Sequence, residues 1–257
     1  MIVVQKLLYY WRVFGKALSF LIFGAGAPIL FLIVFPLMRV CIHPQWRYIA
    51  CARWFISGVM QAFVLFMRVM QVISISVDDK STYKNLKSKI VIANHPSLLD
   101  IVFLIALIPN ANCIVRAGLT RTIVGGVVKS LYIPSDENFD ELVADCKVAL
   151  ERGECLIIFP EGTRTPDEKL LPFRKGFARI ALESNCDIVP VHIGGNKKIG
   201  LKKGDPMFFF HPSDKLRYVF SMGKQISMEH YKAFPPQIGV RQITRDCRKA
   251  FVQGGKA

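Results

Sequence analysis

From residue 72 onward the chain alternates short apolar runs with stretches whose apolar positions recur every three or four residues. The runs at 72–77, 89–93, 113–116, 131–133, 155–159, 188–193 and 216–221 are mostly rich in Ile and Val and are bounded by turn-forming residues. That pattern predicts buried strands. Between them, helical periodicity predicts helices near 99–107, 121–130, 139–152 and 175–184. In the third, Phe139, Leu142, Val143, Cys146, Ala149 and Leu150 keep one face apolar. Asn138 followed by Glu141 has the form of a capping box at its start. Strands alternating with helices predict an α/β fold, with a mostly parallel central sheet flanked by helices, over residues 72–234.

The pattern before residue 72 is different. Ala17 to Met38 is a stretch of 22 residues without a charge, between Lys16 and Arg39. It is long enough to span a bilayer as a helix. Gly24, Gly26, Pro28 and Pro36 within it leave a break into a hairpin that enters and returns as the alternative, a retained membrane segment being expected in both cases. A second apolar stretch runs from Trp54 to Val77. At 100° per residue, Arg53, Ser57, Gln61, Arg68 and Gln71 fall within a wedge of about 80°. Three readings fit: an interfacial helix with a narrow wet face, a core helix with one exposed stripe, or a second span. Residues 1–71 are thus expected to be N-terminal membrane-associated helices. Residues 235–257 form a basic tail, with a helix over 238–251.

Charge sharpens the division. The net charge is +15. Residues 1–60 hold six Lys/Arg and no acid, residues 61–196 hold fifteen of each sign, and residues 197–257 hold thirteen bases and four acids. Basic ends around a balanced middle suit an anionic membrane surface. The N-terminal bases are embedded in apolar sequence, and no nucleic-acid motif is present, so nucleic acid is not an expected partner. The seven cysteines form no C-x-x-C pair. They read as free thiols in a reducing compartment rather than a disulfide framework or zinc site. Cys155, inside an apolar strand, reads as core rather than nucleophile.

Two strand ends carry candidate chemistry. The first is KIVIANHPSLLD, where a run of Ile and Val ends in Asn94-His95-Pro96 and Asp100 follows. On one continuous helix, residues five apart point about 140° away from each other. His95 and Asp100 meet only if His95 precedes a helix that starts near Pro96. A histidine held by a carboxylate can take and return a proton. The second is FPEGTRT, at the end of the strand that begins at Cys155. Gly162 allows close approach to the backbone. Arg164 offers a planar fork for phosphate or carboxylate. Glu161 can accept from a hydroxyl or orient Arg164. Downstream, Arg174, Lys175 and Gly176 sit at a predicted helix start, a natural anion site.

NHPSLLD, FPEGTRT, PFRKGFARIALES and IVPVHIG together resemble the PlsC-like glycerolipid acyltransferases, the lysophospholipid acyltransferase family, over roughly residues 90–195. The resemblance implies that His95 is a general base and Asp100 its partner. It implies that Phe159, Glu161, Gly162, Thr163 and Arg164 bind the acceptor, with Arg164 on its phosphate; Lys175, at the helix-start anion site, is a further substrate-binding candidate. Pro190 matches a block that shapes the acyl-donor side. One block departs: after Gly125-Gly126 and Tyr132-Ile133 come Pro134, Ser135 and Asp136, where the family shows an arginine. Arg116 and Arg121, upstream, are the candidate substitutes.

The implied reaction is transfer of a fatty acyl group from acyl-CoA or acyl carrier protein to the hydroxyl of a lysolipid, by default 1-acylglycerol-3-phosphate. The missing arginine leaves a lyso-aminolipid or secondary-metabolite acceptor open. Two rivals remain: a thioesterase or lipid hydrolase on the same His/Asp pair, and a non-catalytic membrane-associated protein. No metal or cofactor is expected beyond the thioester co-substrate. Membrane lipids are the expected surroundings, at an inner or plasma membrane with the catalytic domain on the cytoplasmic side.

Overall fold

The computed structural model describes residues 2–254 except 117, 119–120, 123–124, 136–137, 166–169, 207–208 and 211–213. Seven strands form one sheet in the order β1-β7-β6-β2-β5-β3-β4. They are β1 (Ile73–Val77), β2 (Ile90–Ala93), β3 (Ala111–Arg116), β4 (Ile133–Ser135), β5 (Cys155–Ile158), β6 (Ile188–Gly195) and β7 (Leu216–Met222). Every pairing is parallel except β6 with β7. Each predicted strand is present, within three residues at either end. All four β2 residues are fully buried. Covered faces explain why such strands read as continuous apolar runs rather than alternating ones.

The helices of the α/β part are α4 (Lys80–Asn85), α5 (Asp100–Leu107), α6 (Gly125–Leu131), α7 (Phe139–Glu151), α8 (Gly176–Ser184) and α9 (Pro236–Gly254). The Asn138 side chain accepts hydrogen bonds from the Asp140 and Glu141 N–H groups and donates to Glu141 at 2.7 Å. The start of α7 is therefore capped as its sequence suggests. The short α4 has no apolar periodicity to announce it. It starts where Asp79 accepts from the Ser81 N–H. One face of the sheet packs against α7, α8 and α9, and the other carries α5 and the N-terminal helices.

The N-terminal region departs from expectation at three places. First, Pro28 and Pro36 do not break it. α1 (Ile2–Ile29), a π-helical stretch (Leu30–Val34) and α2 (Phe35–Cys41) follow one another directly. Between the prolines the ladder widens, with the Phe35 N–H bonding the Leu30 carbonyl. A π turn absorbs the irregularity without ending the helix. The chain returns only at residues 42–44, into α3 (Gln45–Val69). Phe23 then packs on Phe63 at 5.6 Å between ring centroids.

Second, the polar wedge of α3 is not a wet face along its whole length. Arg53 and Ser57 are buried. Arg53 forms an ion pair with Glu154 at 2.5 Å and donates to the Leu131 carbonyl at 2.9 and 3.0 Å. Gln61 donates to the Ala106 carbonyl at 3.0 Å. Gln61, Arg68 and Gln71, in the second half of the wedge, are exposed. The outward face of α3 carries Trp54, Leu65 and Val69. Third, Lys16 does not flank the apolar run as a solvated base. It is buried and donates to the carbonyls of Gly200 and Phe209. These helices are polar toward the protein and apolar outward, the inverse of a water-facing helix. α1 through α3 supply most of the exposed large hydrophobic side chains. By length and composition, Val3–Cys41 and Gln45–Val69 are each apolar enough to cross a membrane.

Candidate active site

The site lies where β2 and β5 end side by side. Their parallel register pairs Ile90 with Leu156 and Ile92 with Ile158. The chain beyond each strand therefore emerges at the same edge of the sheet, and two motifs about sixty residues apart come together there.

Beyond β2, Asn94 fixes the exit. Its side chain donates to the Ile193 carbonyl at 3.0 Å and accepts from the Ile193 N–H at 2.7 Å. His95 comes next, before α5 begins, and Asp100 opens that helix. The His95 Nδ1 to Asp100 Oδ2 distance is 2.9 Å. Asp100 is wholly inaccessible to solvent. Its carboxylate also accepts from the Ser97 N–H at 2.6 Å and the Ser97 hydroxyl at 2.5 Å. A buried charge needs such partners, and here three donors meet one carboxylate. With Nδ1–H on Asp100, the other ring nitrogen, Nε2, carries the lone pair.

Beyond β5, Phe159 lies flat against the His95 imidazole, with centroids 4.1 Å apart and ring planes 16° apart. The loop that follows is sewn to His95 through the backbone. Thr165 N–H donates to the His95 carbonyl at 2.7 Å, and His95 N–H donates to the Thr165 hydroxyl at 3.1 Å. Glu161 is buried and accepts from the Thr165 hydroxyl at 2.6 Å and the Leu171 N–H at 2.8 Å. It thus accepts from a hydroxyl of the protein itself, and it shapes the loop. Gly162 has φ +66°, and a Cβ there would stand 2.7 Å from the Arg174 Nε. Only glycine fits both the backbone and the neighbour. Thr163 receives a long contact from the Lys203 ammonium, at 3.5 Å.

A cavity of about 1160 Å³ opens at His95. Near its polar end it is lined by Arg164, Arg174 and Lys203. Arg164 is half-buried, with one guanidinium nitrogen donating to the Leu201 carbonyl at 3.1 Å. Away from His95 the lining is almost wholly apolar, with Phe20, Phe23 and Leu30 from the α1 segment and Met60 and Phe63 from α3. The N-terminal helices are therefore a wall of the site as well as an outer surface.

Arg174 lines this cavity, whereas Lys175 faces a separate groove toward α9. Lys203, a third cation at the site, lies outside every motif, in a lysine-rich loop that looks like ordinary surface. Of the candidate substitutes for the missing arginine, Arg121 is exposed and is not among the cavity residues. The Arg116 side chain and Asp136 lie outside the described residues. Cys155 is buried, and burial pushes its thiol up to about 11, which leaves it protonated and out of reach. Among the described residues no group of three or more His, Cys, Asp or Glu is placed to hold a metal.

Behind Asp100 stands a residue the motifs do not contain. The Tyr218 hydroxyl, from β7, donates to the Ser97 hydroxyl at 2.9 Å. The hydrogen bonds then run Tyr218 to Ser97 to Asp100, with His95 on the far side of the carboxylate. Burial, and then the nearby Asp100 charge, push the Tyr218 phenol well above its ordinary value, so it stays a donor. Tyr218→Phe keeps the ring and removes that donor. We expect a loss of about 1 kcal/mol in stability and a fall of a few-fold in turnover, read by thermal melting and initial rates.

The Acyltransferase family model matches residues 74–194. A coconut (Cocos nucifera) protein named 1-acyl-sn-glycerol-3-phosphate acyltransferase is 32% identical over 125 residues, covering 45% of this chain and 40% of its own. The Helicobacter pylori protein of the same name is 32% identical over 122 residues, covering 44% and 51%. That from Limnanthes alba is 30% identical over 148 residues, covering 54% and 52%. The matches thus span about half the length of these curated relatives. The crystal structure of the 1-acyl-sn-glycerophosphate acyltransferase PlsC from Thermotoga maritima shares the fold. It superposes with a TM-score of 0.66 at 20% identity, covering 99% of this chain and 97% of that one.

Proposed function

We propose that this chain, whose residues 74–194 match the Acyltransferase family model, transfers a fatty acyl group from a thioester to the hydroxyl of a lysolipid, with 1-acylglycerol-3-phosphate as the acceptor. The observation that carries this reading is one cavity holding three things: a carboxylate-backed histidine, four cations (Arg164, Arg174, Lys203 and the carbonyl-bound Lys16) and a long apolar pocket. That is the inventory an acyl chain, a phosphate and a hydroxyl require. The names of the relatives support the choice of acceptor.

In the proposed mechanism the acceptor hydroxyl approaches His95 Nε2 while its phosphate rests among Arg164, Arg174 and Lys203. These cations offset the arginine missing after Ile133. Nε2 takes the hydroxyl proton as the oxygen attacks the thioester carbonyl. Asp100 holds the ring and stabilises the imidazolium that forms. The tetrahedral intermediate collapses, the C–S bond breaks, and the thiolate leaves with the proton returned by His95. A thiolate is a good leaving group, so no protein nucleophile enters. Phe159 keeps the imidazole plane fixed through the cycle. The acyl chain occupies the apolar part of the cavity, bounded by α1 and α3, and never crosses water.

The test is acyl transfer in membranes given labelled acyl donor and a total lysolipid mixture. Label is expected in phosphatidic acid. Label in another lipid would replace the acceptor, and label released only as free fatty acid would replace transfer by hydrolysis. Arg164→Gln keeps size and polarity but removes the charge. It is expected to raise the KM for the phosphorylated acceptor by about 10- to 100-fold, as befits loss of a charge-assisted contact. The KM for the donor should stay near its wild-type value in the same assay.

A further inference from the structure

The C-terminal helix presents a second charged site. α9 buries Ile243, Cys247 and Phe251 against the sheet and α8. Arg241, Arg245 and Arg248, at i, i+4 and i+7, therefore share another stripe of the helix. They line a groove of about 550 Å³, joined there by Lys249 and, from the segment that leads into α8, by Phe173 and Lys175. Five cations thus surround one concavity, and no carboxylate lines it. Arg245 is paired with Asp246, at 3.4 Å, and that carboxylate also accepts from the Tyr231 hydroxyl. The other four have no carboxylate partner among the described residues. Like charges gathered this closely raise the energy of the empty protein, and a polyanion relieves it.

Position narrows the polyanion. α9 packs on the face of the sheet opposite the one that carries the N-terminal helices. A bilayer held by the apolar outer face of α1 through α3 does not lie over this groove. The groove and the cavity are lined by alternating residues of one segment. Phe173 and Lys175 line the one, and Arg174 and Gly176 line the other. A ligand with an anionic head in the groove and a long uncharged arm laid across this segment would be aimed at the cavity of His95. Its volume is that of a small-molecule site. Pro172, Phe173 and Val252 add apolar surface, and the arginines add planes on which a purine can stack.

We propose that this groove holds the 3′-phosphoadenosine diphosphate head of an acyl-CoA donor. The pantetheine arm then runs past Arg174 toward His95, and the acyl chain enters the apolar cavity. The proposal rests on the acyl-transfer reading above and names its donor.

The experiment is calorimetric titration of adenosine 3′,5′-bisphosphate into the full-length protein in detergent, with the double variant Arg241→Gln/Arg248→Gln alongside. Binding is expected for the wild type and for His95→Ala, weakening as salt rises. The double variant should bind about tenfold or more weaker, the scale of losing two charge-assisted phosphate contacts. Its KM for acyl-CoA should rise in proportion, while the KM for the lysolipid stays unmoved. Wild-type protein that fails to bind the bisphosphate, or a variant that binds it equally well, overturns the proposal. So does a variant impaired only with acyl carrier protein as donor, or only in binding vesicles of anionic phospholipid. Bisphosphate binding without acyl transfer from any donor would keep the groove and discard the enzymatic reading, so the two failures are distinguishable.

Discussion

His95→Ala is expected to abolish the proposed acyl transfer, with a fall of about a thousandfold or more, while the protein stays folded. General-base catalysis contributes about 10²- to 10⁴-fold. The fold does not depend on the imidazole. The backbone of His95 is held by Thr165 through its own N–H and carbonyl, whatever the side chain. Asp100 keeps both Ser97 donors after truncation, so no buried carboxylate is left bare. The lost side chain is itself 19% exposed. Initial rates with labelled donor, set beside a melting curve in detergent, separate loss of chemistry from loss of structure. Turnover close to wild type would remove His95 from the mechanism.

Glu154→Ala is expected to cost about 3–5 kcal/mol in stability, the range for removing one partner of a buried ion pair. Glu154 is the only carboxylate within ion-pair distance of Arg53 among the described residues, and both side chains are nearly inaccessible. It also accepts from the Asn112 amide at 3.0 Å. Without it, the buried guanidinium retains the Leu131 carbonyl alone as a partner. The pair ties α3 to the start of β5, the end of α6 and strand β3, so the loss should loosen the N-terminal helices first. The double variant Arg53→Met/Glu154→Leu supplies the control. Replacing a buried pair by apolar groups of similar volume is often neutral or stabilising, so its melting temperature should return most of the way. A single variant as stable as the wild type would show that packing alone holds α3 in place.

The sheet was readable because its strands are short, buried on both faces and punctuated by turn residues. The order of those strands was not. Nothing local to Leu216–Met222 says that β7 runs antiparallel to β6 and places Tyr218 behind Ser97. That contact spans more than a hundred residues. His95 and Asp100 were legible because Pro96 breaks the chain between them and keeps His95 off the helix that Asp100 opens, a short-range constraint. The difference between Arg174 and Lys175 was not legible. Adjacent side chains at a helix start point different ways, and only the packed α9 decides which of them faces the cavity. The wedge on α3 lies at the positions its periodicity gives, with Arg53 and Ser57 turned to protein and Gln61, Arg68 and Gln71 exposed. Periodicity reports that Arg53, Ser57 and Gln61 share a face; it does not report whether that face meets water or protein. In a helix with an apolar exterior the answer is inverted, and Lys16 in α1 repeats the lesson.

The apolar wall contributed by α1 and α3 has a practical consequence for handling the enzyme. A fragment begun near residue 72 for the sake of water solubility would lack Phe20, Phe23, Leu30, Met60 and Phe63, and with them one side of the cavity. The exposed apolar surface of α1 through α3 predicts that the intact chain will need surfactant, whose alkyl tail is chemically an acyl chain without its carbonyl. A surfactant monomer is thus expected to compete with the acyl chain for the apolar part of the cavity. Apparent affinities for the donor will track surfactant tail length and free monomer concentration as much as any substitution in the protein.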